Sequence, residues 1–106
     1  MIGRRMVLAL AAVGVTGNSW AFEQVAARIT LVQSTYMPAT IAFKADTGTP
    51  SCPAGQWLLW SNANIDNNKA TYALLLMALT AEKQVIYGVN NGDTGCTVAY
   101  VDILSN

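Results

Sequence analysis

The sequence predicts a mainly β domain with one helix, five short strands in all and the helix between the third and the fourth. Three observations predict it. Residues 67–82 (NNKATYALLLMALTAE) carry apolar side chains at helical spacing. On both sides lie runs rich in β-branched and aromatic residues. Clusters of Pro, Gly, Asn and Asp separate those runs, which is the chemistry of turns.

Residues 25–37 (VAARITLVQSTYM) read as the first strand, with Ile29, Leu31 and Gln33 on one face and Thr30, Val32 and Ser34 on the other. Pro38 interrupts it, fixing its own φ and lacking a donor. Residues 39–44 (ATIAFK) form a second strand, Ile41 and Phe43 sharing a face. Residues 45–55 are turn chemistry, punctuated by Gly48, Pro50, Pro53 and Gly55. Residues 56–60 (QWLLW) make a short, largely buried third strand. The polar loop 61–68 leads into the helix. Asp66 is the expected N-cap, because its carboxylate can accept from the first free helix amides. Ile65 is placed to staple onto the first turn. Residues 84–90 (QVIYGVN) read as the fourth strand, Asn91-Gly92-Asp93 as a turn. Residues 96–104 read as the fifth, with Val98, Tyr100 and Asp102 alternating against Thr97, Ala99, Val101 and Ile103. No internal repeat, low-complexity run or linker is visible. Strand, strand, strand, helix, strand, strand is the element order of the OB-fold, a five-stranded Greek-key barrel. Strand-only or mixed sandwiches are the alternative.

The helix has an unusual wheel. At 100° per residue, Tyr72, Leu75, Leu76 and Leu79 fall on one side. Ala70, Ala73, Leu74, Met77 and Ala81 fall on the opposite side. Lys69 and Thr80 lie along one seam, Thr71 and Glu82 along the other. A surface helix needs only one apolar stripe. The second stripe is most simply buried against another copy of the chain, so Ala70, Ala73, Leu74, Met77 and Ala81 are the expected oligomer interface. The alternative is a helix wholly covered by its own polypeptide.

The chain has 106 residues, which bounds it to one domain. Its start reads as a secretory signal. Arg4 and Arg5 form a basic region, residues 6–15 (MVLALAAVGV) an apolar core too short to span a bilayer, and Ser19 and Ala21 sit at the cleavage-rule positions. Cleavage after Ala21 would leave residues 22–106 as one domain, secreted or periplasmic; a retained membrane anchor is the other reading. Those residues carry four basic side chains (Arg28, Lys44, Lys69, Lys83) against six acids (Glu23, Asp46, Asp66, Glu82, Asp93, Asp102), a net charge of −2. No basic patch recommends nucleic acid as a partner. Cys52 and Cys96 are the only cysteines, and an isolated pair in an exported chain is expected to form one disulfide. A domain this small gains much from such a link.

There is no histidine, so neither a Ser–His or Cys–His pair nor a two-His metal site can be built. Gly88, Gly92 and Gly95 are not followed by GK[ST], so they do not form a phosphate loop. The expectation is a non-enzyme without cofactor or metal. Binding has better support. Trp57 and Trp60 precede a loop carrying Asn62, Asn64, Asp66 and Asn67. A sugar offers an apolar face that suits an aromatic ring and hydroxyls that suit amides and carboxylates. Three residues apart on a strand, the two tryptophans point to opposite faces, so one of them faces outward. Tyr36, Tyr87, Asn90, Asn91 and Asp93 form a second candidate. The competing reading is core tryptophans, loop and cap asparagines and an ordinary NGD turn.

The helix KATYALLLMAL followed by TAEKQVIYGVNNGDTGCTVAYVDILSN resembles the B subunits of cholera-type and pertussis-type bacterial toxins. The shared features are the Lys69-Ala70 pair opening the helix, the Thr80-Ala81-Glu82-Lys83 corner, the Asn90-Asn91 turn and the terminal Asn106. The CPAGQWLLW stretch is similar to subtilase-cytotoxin and pertussis-like binding subunits. The resemblance covers roughly residues 52–106 and is one of pattern. It implies a secreted OB-fold, five copies closed into a ring with helices lining a pore, a cell-surface glycan bound by each, and an enzymatic A subunit as partner. Two features depart from the family. The helix is nearly all apolar where the cholera type is strongly charged, and Val89 stands where that type places its sugar-stacking Trp. Asn90 and Asn91 are therefore the only binding positions that carry over. The expected function is a secreted, non-catalytic, oligomeric glycan-binding subunit. The alternatives are a periplasmic OB-fold interaction or stress protein without glycan binding, and an enzyme inhibitor presenting the Cys52 loop.

Overall fold

The computed structural model describes residues 21–105. Residues 1–20, which hold most of the secretory signal expected at 1–21, and Asn106 lie outside the described residues. The elements are β1 (Phe22–Gln33), β2 (Ile41–Ala45), β3 (Leu58–Trp60), α1 (Ile65–Ala81), β4 (Gln84–Asn90) and β5 (Val98–Ile103). The described chain is thus mainly β with one helix, in the expected element order. The five strands form one antiparallel sheet, ordered β3-β2-β1-β4-β5. The two end strands meet at a single parallel bridge, Leu59 with Thr97, where the Leu59 amide donates to the Cys96 carbonyl at 3.0 Å.

β1 is the spine of the sheet. Its first half, Phe22–Arg28, pairs with β4; its second half pairs with β2. Between Ile29 and Leu31 the register against β2 slips, so Thr30 is an extra residue. Such a bulge bends the strand and resets which side chains face inward. This corrects the expected alternation: Ile29 is buried opposite Ala45, but Leu31 turns outward beside Lys44 and is 39% exposed, and Val32 packs on the core opposite Phe43. β3 and β5 are shorter than expected, beginning at Leu58 and Val98, because the segments before them are held by loop hydrogen bonds and the disulfide.

The core is built from the inward face of each strand: Ala27 and Ile29, Ile41 and Phe43, Leu58, Val85, Tyr87 and Val89, and Val98. Leu75 and Ala78 of α1 close it from one side. Burying each large apolar side chain contributes about 1.5–3 kcal/mol.

Two details of α1 differ from expectation. The N-cap is Asn64, whose Oδ1 accepts from the amides of Asp66 at 2.9 Å and Asn67 at 3.3 Å, so the helix starts two residues early and Asp66 lies in its first turn. Asn and Asp cap about equally well, so sequence alone does not choose between Asn64 and Asp66. The buried stripe is Asn68, Thr71, Leu75 and Ala78, flanked by Tyr72, Leu74 and Leu79. Leu76 is therefore not on the core side but 37% exposed, and Leu74 is not on the free flank but packs on the core. Ala70, Ala73 and Ala81 are exposed, and Met77 is 62% exposed. At the far end Glu82 adopts a left-handed conformation, φ 56°, and its amide donates to the Ala78 carbonyl. The Arg28 guanidinium donates to the Glu82 carbonyl, bringing a cation to the negative end of the helix dipole.

Asn68 is wholly buried, and every polar atom of its side chain is used. Its Nδ2 donates to the carbonyls of Pro38 at 2.8 Å, Ala39 at 3.2 Å and Asn62 at 2.9 Å. Its Oδ1 accepts from the Asn62 amide at 2.8 Å. One side chain thus fastens α1 to the β1–β2 turn, which contains the cis Met37–Pro38 peptide, and to the β3–α1 loop. Cys52 and Cys96, both buried in the core cluster, form the expected disulfide, with Cα atoms 5.8 Å apart. Closing 44 residues of chain contributes about 4 kcal/mol in the chain-entropy account.

Asn68→Ala strips partners from buried carbonyls on two loops, and we expect it to cost about 2–3 kcal/mol in urea unfolding. Asn68→Asp should cost no less, since it keeps the acceptor but sets a carboxylate against carbonyl oxygens. A change within measurement error in both variants would remove Asn68 as the link between these loops.

Candidate functional site

The sheet presents two outward faces, and each carries exposed aromatic and polar side chains. The first lies over β1, β2 and β3. Lys44 is opposite Leu31 on one side, and its Nζ stands 4.5 Å over the centre of the Trp57 ring on the other. Trp57 is 41% exposed, with Leu59 also exposed two residues along. Trp60 points the other way, is half-buried against the core, and donates from Nε1 to Asn67 Oδ1 at 3.2 Å. The two tryptophans are thus separated by the sheet, as their spacing requires.

The asparagines that follow build the loop itself. Asn62 Oδ1 accepts from the Asn64 amide at 2.8 Å, and Asn64 Oδ1 caps the helix. Their side-chain oxygens thus accept from the backbone of the loop and the helix start.

The second expected cluster is divided by the fold. Tyr87 is a core residue: its ring is buried, and its hydroxyl donates to the Thr47 carbonyl at 3.0 Å. Burial first, and the Asp46 carboxylate second, push its phenol above the ordinary value. It presents no surface to a ligand. Tyr36 is exposed at the β1–β2 turn, whereas Asn90 pairs with Phe22 at the opposite end of β1. Asp93 accepts from the Gly95 amide at 2.9 Å and the Thr97 amide at 3.3 Å, which orders the β4–β5 turn. Asn90 and Asn91 remain exposed, the Asn91 amide donating to the Ala21 carbonyl at 2.9 Å.

The fold instead sets Asn90 beside two rings that sequence reasoning passed over. Over β1, β4 and β5, Gln24, Gly88 and Tyr100 lie side by side, with Phe22 and Asn90 as the next pair. Phe22 is 44% exposed and meets Tyr100 edge to face, ring centres 5.4 Å apart at 84°. The Tyr100 hydroxyl donates to Gln24 Oε1. The Tyr100 ring lies across Gly88, where an added Cβ would sit 2.3 Å from the ring. Gly88 is therefore the floor of a fixed aromatic shelf edged by the amides of Gln24 and Asn90. The available signal was the glycine itself, since a glycine inside a strand marks close approach of another group.

Below this shelf Glu23 joins three segments. Its carboxylate accepts from the Ser51 amide at 2.9 Å, the Ser51 hydroxyl at 2.7 Å and the Gly92 amide at 3.2 Å. The Ser51 amide first, then its hydroxyl, hold the Glu23 carboxyl down at about 2, against an ordinary 4.5. Among the described residues no group of three or more His, Cys, Asp or Glu side chains could hold a metal ion.

A carboxyl lowered by folding stabilises the protein above its unfolded value, and that contribution is lost as pH falls from about 4.5 towards about 2. Glu23→Gln should therefore flatten the fall in melting temperature between pH 5 and 2. A variant with an acid limb parallel to the wild type would contradict this assignment. Gly88→Ala should tilt the Tyr100 ring away from its seat while the fold survives, read as loss of the ring-current shifts between Phe22 and Tyr100 in NMR spectra; unchanged shifts would refute the close approach.

No protein-family model, curated protein or solved structure matches this chain.

Proposed function

We propose that the chain is a secreted, non-catalytic binding subunit that assembles with copies of itself through α1 and recognises a glycan. The observation that carries this reading is the outer flank of the helix. Ala70, Ala73, Met77 and Ala81 lie in the open on a 17-residue helix, with only Lys69 charged among residues 67–81. Apolar helix surface on both sides is the pattern of an element covered twice.

We read the fold as an OB-type barrel. The sheet order β3-β2-β1-β4-β5, the parallel bridge between its end strands and the helix between β3 and β4 support this. An OB-type subunit with a two-sided helix is consistent with the ring of five implied by the toxin B-subunit resemblance, and an enzymatic A subunit would then be its second partner. For the glycan we favour the Phe22–Tyr100 shelf over the Trp57 loop. Its rings offer an apolar face, and Gln24, Asn90 and Asn91 offer amides for hydroxyl groups. Trp57 already has the Lys44 ammonium over its ring.

Native mass measurement of the exported protein tests assembly. The wild type should form a discrete oligomer, and Met77→Glu, which adds a charge at an exposed helix position, should reduce it to folded monomer. A wild type that stays monomeric at high micromolar concentration would remove the reading. A glycan array tests recognition: binding should fall strongly in Tyr100→Ala. A verified oligomer that binds no glycan would leave an OB-type interaction protein of the periplasm as the better description.

A further inference from the structure

A closed ring of more than two copies cannot be made from one self-complementary patch. Each subunit must present two different surfaces, one fitting the other on its neighbour. If the helix flank is one of them, the structure must carry the other.

We infer that the outer face of β1–β2–β3 is that second surface, and that it receives the α1 flank of the next copy. This rests on the assembly reading above. Three large apolar side chains stand out from this face: Leu31, Trp57 and Leu59. They lie on neighbouring strands. Leu31 and Trp57 flank Lys44 on either side, and Leu59 follows Trp57 on the same side of β3, above Ala42. Isolated surface leucines need no explanation, but three large apolar residues gathered on one sheet face mark a contact surface.

The helix flank suits this face in shape and in charge. Along one stripe at helical spacing run Asp66, Ala70, Ala73 and Met77. The alanines leave room for Trp57 and Leu59 to approach the helix, and Met77 is a flexible side chain that fills uneven gaps. Lys44 is the charge set among Leu31, Trp57 and Leu59, and Arg28 with Asp46 follows next along β1 and β2. The helix stripe carries one acid, Asp66, at its first turn. Docking therefore sets a carboxylate within reach of Lys44, and that pair fixes the direction of the helix across the sheet. The Phe22–Tyr100 shelf lies over β4, β5 and the first half of β1, at the far end of that strand from Leu31, so it stays free for ligand.

The test uses one variant per surface. Met77→Glu blocks the helix flank and Leu59→Glu blocks the sheet patch; both positions are exposed, and circular dichroism verifies that each variant folds. Each alone should be monomeric. Mixed in equal amounts they should form a one-to-one heterodimer and nothing larger, because each supplies the surface the other lacks. Lys44→Glu should weaken the wild-type assembly, and adding Asp66→Lys should restore it. A Leu59→Glu protein that keeps the wild-type mass, or a mixture that stays monomeric, would overturn the inference while leaving assembly through α1 in place. A wild type that is itself monomeric would remove both.

Discussion

The packing of this protein depends on a polar side chain at the boundary of its apolar core. Asn68 sits at the first turn of α1, wholly buried, with all its hydrogen-bonding capacity used by the backbone of two loops. A buried amide is costly unless it is fully paired, and once paired it admits a single arrangement. It therefore does more than add stability. It fixes how far the helix lies from the β1–β2 turn, and so which helix face meets the sheet. That choice buries Leu75 and Ala78, half-covers Leu74, and turns Leu76 and Met77 outward.

The other end of the molecule is held by different physics. The disulfide, Glu23 and the Asp93 turn bind the β2–β3 loop, the start of β1 and the β4–β5 turn into one unit. Asn68 is buried and insensitive to acid, whereas Glu23 is an ionised carboxylate held by neutral donors. The two ends consequently answer to different conditions: redox and strong acid at one, side-chain chemistry alone at the other.

Between them the sheet divides its outward surface. One face places aromatic rings beside the amides of Gln24 and Asn90, and the other places large apolar side chains around Lys44. The bulge in β1 produces this division. Were Thr30 paired regularly instead of bulged, Leu31 would alternate into the core and the β1–β2–β3 face would lose one of its three large apolar side chains. In the reading proposed above, one face is for ligand and the other for a neighbouring subunit, and the helix flank completes the assembly.

Much of this was legible in the residues. The five strands and the helix follow from side-chain periodicity and turn residues, which are local properties, and β4 falls on the expected residues 84–90. The disulfide follows from there being only two cysteines. An exposed apolar helix flank was one of the two readings that the wheel allowed, the other being a helix covered on both sides by its own chain. The composition of that flank was not legible: a wheel places residues relative to one another, but the contacts of Asn68 set its zero. The candidate site was the least legible part. Trp57 does face outward, yet Tyr87 is core, Tyr36 lies far from Asn90, and the loop asparagines cap their own backbone. Phe22 and Tyr100 are 78 positions apart in sequence and meet only because β4 lies between their strands, with a glycine beneath the ring. Local periodicity therefore determined which elements form. Bulges, caps and cross-strand register, all of them tertiary, decided which side chains each element shows to water.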